Sequence, residues 1–155
     1  MNRTIYILDT STGTDDTTGA ANGIFLDKRF TVPTDRYWHI KSLMVTAITS
    51  AAVGNRRLAV QIDRDSTADT SPYVDVRSAV DQAASVTRYY NFFPEAALQT
   101  AFADTDWLTV PLPDVELPAG WVVRIFDEAA IGTTAAPDDM DIRLVVEQRG
   151  ARDVA

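Results

Sequence analysis

His39 is the only histidine in the chain, so a Ser-His-Asp triad, a His-pair zinc site or an H-E-x-x-H helix must run through it or is impossible. It stands between Trp38 and Ile40 in an alternating segment, the setting of a structural or surface histidine rather than of a general base. Carboxylates cluster at Asp15-Asp16, at Asp63-Arg64-Asp65 and at Asp138-Asp139-Met140-Asp141. Loop oxygens at such spacing can bind Ca²⁺, but none of the three has the glycine and terminal glutamate of an EF-hand loop, and solvated charged loops are the simpler reading. Two carboxylates at the right separation can also cleave a glycosidic bond; among 22 Asp and Glu no pair stands out. Gly13 to Gly19 has the spacing of neither nucleotide-binding motif and carries acids where phosphate would sit. No catalytic residue, metal ligand or cofactor is assigned on these grounds, and the chain is expected not to be an enzyme.

Aromatic side chains are the other chemical resource. Trp107, Trp121, Tyr37, Tyr73, Tyr89 and Tyr90 can stack on sugar rings if exposed, although large aromatics in a β protein mostly supply core burial. Tyr89 and Tyr90 are adjacent and must point to opposite faces of a strand, so at most one belongs to the core and the other is open to a contact.

The elements that position these groups must come from one domain, since 155 residues suffice to bury roughly 70% of the surface exposed by the unfolded chain. Apolar residues at 46% and charged residues at 23% argue against disorder. Without cysteine there is no disulfide, thiolate site or thiol nucleophile. A formal charge of −8 repels a phosphate backbone, and pairs such as Arg56-Arg57 are too sparse to offset it, so nucleic acid is not an expected partner. The apolar stretch near Met1 is shorter than a signal-peptide core. No later segment approaches the ~20 apolar residues of a membrane span, so a soluble protein made without Sec-type export, and no membrane partner, are expected.

Trp107 to Val110, a Pro-punctuated turn through Gly120, and Trp121 to Phe126 describe strands meeting at the corner of an antiparallel sandwich or barrel. Ile5 to Leu8 reads as a short first strand. Thr10 to Gly23 is a Thr/Asp/Gly tract with no apolar face, hence a long loop or arm. Ile24 to Val32 and Asp35 to Ser50 follow as strands. In the latter, Trp38 and Ile40 share one face and Leu43, Val45 and Ala47 the other, unless a bulge near Lys41-Ser42 puts all five on one side. Val53-Gly54-Asn55 turns into Arg56 to Asp63, where Leu58, Val60 and Ile62 alternate with polar residues and Ala59 as in a strand buried on one side.

Tyr73 to Gln82 reads as a strand or a short helical turn, and Ala84 to Phe93 is rich in β-formers. Glu95 to Ala103 is the best helical candidate. In the last strand, Asp139 to Gln148, Ile142, Leu144 and Val146 oppose Asp141, Arg143 and Glu147. About eight or nine strands with at most one short helix predict an all-β protein, an antiparallel jelly-roll β-sandwich. Residues 1–23 would be an N-terminal strand and arm, 24–149 the jelly-roll domain and 150–155 a tail.

The succession Tyr37-Trp38-His39-Ile40, Val53-Gly54-Asn55-Arg56-Arg57-Leu58, Tyr89-Tyr90-Asn91-Phe92-Phe93-Pro94, Pro111-Leu112-Pro113, Leu117-Pro118-Ala119-Gly120 and Asp138-Asp139-Met140 resembles small jelly-roll structural proteins of tailed bacteriophage virions, especially head decoration or cement proteins. The likeness spans roughly residues 24 to 149 and lies in framework positions rather than in a catalytic signature. It implies a non-enzymatic protein of the virion surface that binds the major capsid protein, commonly as a homotrimer, and ties neighbouring capsid subunits together. Candidate assembly contacts are Thr10, Asp15, Asp16 and Thr17 in the arm, with Tyr73, Tyr89 and Tyr90. The alternatives are a tail, connector or fibre-associated virion protein, and a carbohydrate-binding jelly roll, for which clustered exposed aromatics would be the sign.

Overall fold

The computed structural model describes residues 3–9, 14–15, 27–64, 72–104, 106–129, 131 and 138–150. Their strands are β1 (Thr4–Asp9), β2 (Thr14–Asp15), β3 (Asp27–Thr31), β4 (Arg36–Ile48), β5 (Leu58–Asp63), β6 (Val74–Arg77), β7 (Thr87–Phe93), β8 (Trp107–Pro111), β9 (Glu116–Leu117), β10 (Val122–Asp127) and β11 (Asp139–Gly150). The protein is an all-β sandwich of two sheets, with no helix among the described residues. One sheet runs β1-β11-β4-β7-β8, with β9 beside the first half of β4; the other runs β2-β3-β10-β5-β6. Tyr73 to Gln82, open between strand and helical turn, supplies the edge strand β6.

The spine is the antiparallel pair β4–β11, in register from Ile48 opposite Asp139 to Arg36 opposite Gly150. Ser42 faces Val145 and Ile40 faces Val146, so Lys41 is an extra residue on β4. That bulge reverses the side-chain alternation. Trp38, Ile40, Leu43, Val45 and Ala47 consequently all point inward, none more than 4% exposed. Each large aliphatic side chain so buried contributes about 1.5–3 kcal/mol, enough to hold the register against a one-residue slip. From the other strands, Phe30, Ile62, Phe92, Leu108, Ile125, Ile142 and Leu144 complete the core.

Between Trp107 and Phe126 the chain passes from the first sheet into the second, the corner expected of that stretch. Gly120, at φ +82°, makes the turn at a backbone angle that favours glycine. Its N–H donates to the Val32 carbonyl at 3.0 Å, and Val32 N–H donates to the Trp121 carbonyl at 2.8 Å, tying the corner to the end of β3.

Four expectations need correction. The sandwich is not wholly antiparallel: β7 and β8 are parallel, Tyr89 opposite Trp107 through Phe93 opposite Pro111. A parallel pair needs a crossover of a dozen residues or more, and the segment from Pro94 to Asp106 is that connection. For the same reason Glu95 to Ala103 is not helical. Glu95 lies at φ +62°, Gln99 exchanges hydrogen bonds with Thr109 through its backbone N–H and its side-chain oxygen, and Ala103 bridges to Trp107. Residues of β8 have taken the Gln99 and Ala103 N–H groups that a helix would have paired internally.

The strand β5 is buried on both faces rather than one, since Ala59 and Asp63 are buried as well as Leu58, Val60 and Ile62. Finally, the sandwich begins at Thr4 rather than at residue 24, since β1 pairs with β11 along its whole length. Of the expected arm and tail, residues 10–13, 16–23 and 151–155 lie outside the described residues.

Candidate functional site

The bulge that sorts the core also builds a charged cluster outside it. His39 donates through Nε2–H to Asp114 Oδ1, while its Nδ1 lies 3.1 Å from Lys41 Nζ. Lys41 in turn meets Glu147 at 3.1 Å, and Arg3 meets the other oxygen of Glu147 at 3.3 Å. The hydrogen bond from His39 holds Asp114 below the usual carboxylate range, and the one from Lys41 does the same for Glu147. Both ring nitrogens of His39 are thus engaged within the cluster.

The carboxylates of 138–141 do not converge. Asp138 is fully buried and accepts from Arg56 Nε at 2.8 Å, from Arg56 Nη2 at 2.9 Å and from Ser50 N–H at 2.6 Å. Arg56 spends its remaining donors on the carbonyls of Ala52 and Gly54 and on Ser50 Oγ. Burial pushes the Asp138 carboxyl up, but the hydrogen bonds from Arg56 and Ser50 and the guanidinium charge outweigh it and hold it below the ordinary range. Asp139 accepts from Met140 N–H, while Asp141 lies on the outer face. No group of three or more His, Asp or Glu among the described residues is placed to hold a metal ion. Asp65 and Asp16, from the other acidic clusters, lie outside the described residues.

Of the two adjacent tyrosines, Tyr90 is the core residue. Its hydroxyl donates to Gln82 Oε1 at 3.0 Å, Gln82 Nε2 donates to the carbonyls of Ala47 and Val86, and burial pushes the phenol's pKa up. At 1% exposure it cannot serve as an assembly contact, because its position in the strand turns it onto the inner face. Tyr89 is half-buried on the outer face, where it stacks on Trp107 with ring centroids 4.7 Å apart and planes 20° apart.

That pair walls a groove of about 220 Å³, lined also by Met44, Thr46, Asp141 and Arg143. Sheet register explains the assembly: Asp141, Thr46, Tyr89 and Trp107 form one row across β11, β4, β7 and β8, and Arg143 and Met44 begin the next. Sequence reasoning singled out both aromatics but could not pair them, because their meeting depends on the parallel β7–β8 contact.

Tyr73, 53% exposed, sits at the opposite sheet, tilted against Trp121 at 4.7 Å with the Arg64 guanidinium 5.1 Å from its ring centre. Thr10, Asp16 and Thr17 lie outside the described residues, and Asp15 is placed only as the backbone partner of Lys28 in β2. The candidate contacts therefore form no single patch among the described residues.

A surface that sequence reasoning missed is the edge strand β1, which ends the order of its sheet. Ile5, Tyr6 and Ile7 are exposed at 66%, 43% and 69%. The edge of the other sheet at β6 is by contrast charged, with Asp75 and Arg77 paired at 2.9 Å, and β8 ends on Pro111. Charges and proline are the ordinary guards of an open sheet edge. The signal was present in the run Ile5-Tyr6-Ile7-Leu8, whose apolar residues fall on both faces of a strand.

Comparison of the chain with protein-family models, with curated proteins and with solved structures finds no match.

Proposed function

We propose that this chain is a non-enzymatic virion structural protein, a decoration or cement protein that binds the assembled head of a tailed bacteriophage and stabilises it. The observation that carries the assembly part of this reading is the edge strand β1, which among the described residues leaves three consecutive large apolar side chains in solvent. An open, apolar edge is a template for pairing with another chain. The order β1-β11-β4-β7 facing β3-β10-β5-β6, with the chain changing sheets between β1 and β2, β3 and β4, β4 and β5, β6 and β7, β9 and β10, and β10 and β11, supports reading the sandwich as a jelly roll. The resemblance of the framework segments to phage decoration proteins supplies the location, the homotrimer and the major capsid protein as partner. Physically, weak contacts of single protomers become strong when an oligomer spans several capsid subunits, because each later contact forms at high effective concentration.

The test is co-sedimentation with capsids that lack the protein, alongside its mass by light scattering. Saturable binding with a stoichiometry matching the shell's symmetry is expected, and Ile7→Lys should keep the fold while weakening assembly. A protein that ignores capsids would transfer the reading to a tail, connector or fibre-associated component.

A further inference from the structure

We infer that the groove between the Tyr89–Trp107 pair and the Asp141/Arg143 side of β11 is a binding site for a single hexopyranose ring. The inference does not rest on binding to a phage shell. In the row Asp141–Thr46–Tyr89–Trp107, Trp107 stacks on one face of Tyr89, and on its other side stands the small Thr46, which lines the groove with it. Tyr89 and Asp141 are two strands apart, roughly 9.5 Å by ordinary strand spacing, which leaves a slot about one saturated ring thick once both walls are in place. The floor is Met44 and Thr46, and the wall opposite the tyrosine carries a carboxylate and a guanidinium on alternate residues of one strand.

These walls have opposite chemistries. An aromatic face takes the C–H face of a ring, while Asp141 and Arg143 offer an acceptor and charged donors to hydroxyls at its edge. A pyranose has both properties in one molecule. A nucleotide is disfavoured by the net charge of −8 and by Asp141 beside the slot.

The chain's three tryptophans give the readout. Their indole N–H signals would be followed by ¹⁵N–¹H NMR during titration with methyl α-D-glucopyranoside, methyl β-D-galactopyranoside and N-acetylglucosamine, and Trp107→Phe would assign the Trp107 signal. Saturable movement of that signal with at least one sugar is expected, while the buried Trp38 and the Tyr73-packed Trp121 stay still. Arg143→Gln, an exposed substitution that leaves the core intact, should weaken the same titration roughly tenfold through loss of a charge-assisted hydrogen bond. No movement with any of the three sugars would overturn the inference. So would movement of Trp121 without Trp107, or unchanged affinity in the folded Arg143→Gln protein.

Discussion

Replacing Asp138 by Asn tests the reasoning about the interior most severely, because the substitution keeps the shape while it removes the charge and turns one of two accepting oxygens into a donor that faces an N–H. Arg56 is 2% exposed, and its guanidinium meets one carboxylate, two carbonyls and a hydroxyl, so in the variant a buried cation loses the counter-charge it is paired with. Removing one member of a buried pair typically costs about 3–5 kcal/mol. Retained hydrogen bonding to the Asn oxygen places the expectation at the lower end, near 3 kcal/mol. For a chain of this size that lowers Tm by roughly 6–12 °C.

Urea unfolding with an unchanged slope would show that the loss is one of folded-state stability. Since Asp138's folded pKa lies below its unfolded value, the pair's contribution is complete above the ordinary Asp pKa of about 3.9 and is lost as pH falls through the folded pKa. The Asn variant should lack that acid-side loss, so its deficit narrows on acidification. The double replacement Arg56→Met/Asp138→Leu should lose less than the sum of the single changes, because it leaves no stranded charge. A loss below about 1 kcal/mol for Asp138→Asn, or strict additivity in the double variant, would refute the account.

Asp127 should behave in the opposite sense. Burial raises its carboxyl against three backbone N–H donors, Arg57 at 2.9 Å, Ala129 at 3.0 Å and Ile131 at 3.4 Å. Its folded pKa lies above the unfolded one, so the stability it confers is present below the unfolded value and is lost as pH rises through the folded value. Asp127→Asn, which keeps the acceptor, should therefore compare more favourably with the parent protein at pH 7 than in acid; urea midpoints across that range would measure it. Tyr90→Phe removes the hydroxyl that satisfies Gln82 Oε1 and should cost about 1–3 kcal/mol by leaving a buried acceptor unpaired. Denaturant unfolding reads that loss directly, and a neutral result would mean that Gln82 finds another donor.

Most of the longer strands were legible in the sequence because a strand with one buried face has a period of two, and β11 shows it from Asp139 to Leu144. The consequence of a bulge at Lys41-Ser42 was legible too, since a single extra residue is what aligns Trp38 and Ile40 with Leu43, Val45 and Ala47. Its occurrence was decided by β11, whose Val145 and Val146 set the register across it. The candidate site was half legible. Tyr89 could be marked as the outward member of its pair only once Tyr90 was found inside, and local alternation says nothing about which strand lies alongside.

What the sequence by itself determined is most of the longer segments that become strands, the absence of thiol chemistry and the dependence of every imidazole mechanism on one residue, because composition and short-range periodicity are properties of the chain. Tertiary structure alone decided that β7 and β8 run parallel, that the best local helix former, Glu95 to Ala103, is an irregular crossover, that Arg56 and Asp138 meet in the interior, and that β1 ends a sheet with its isoleucines in solvent. Each depends on partners distant in sequence, whose burial and hydrogen bonds outweigh local preference and leave no trace in it.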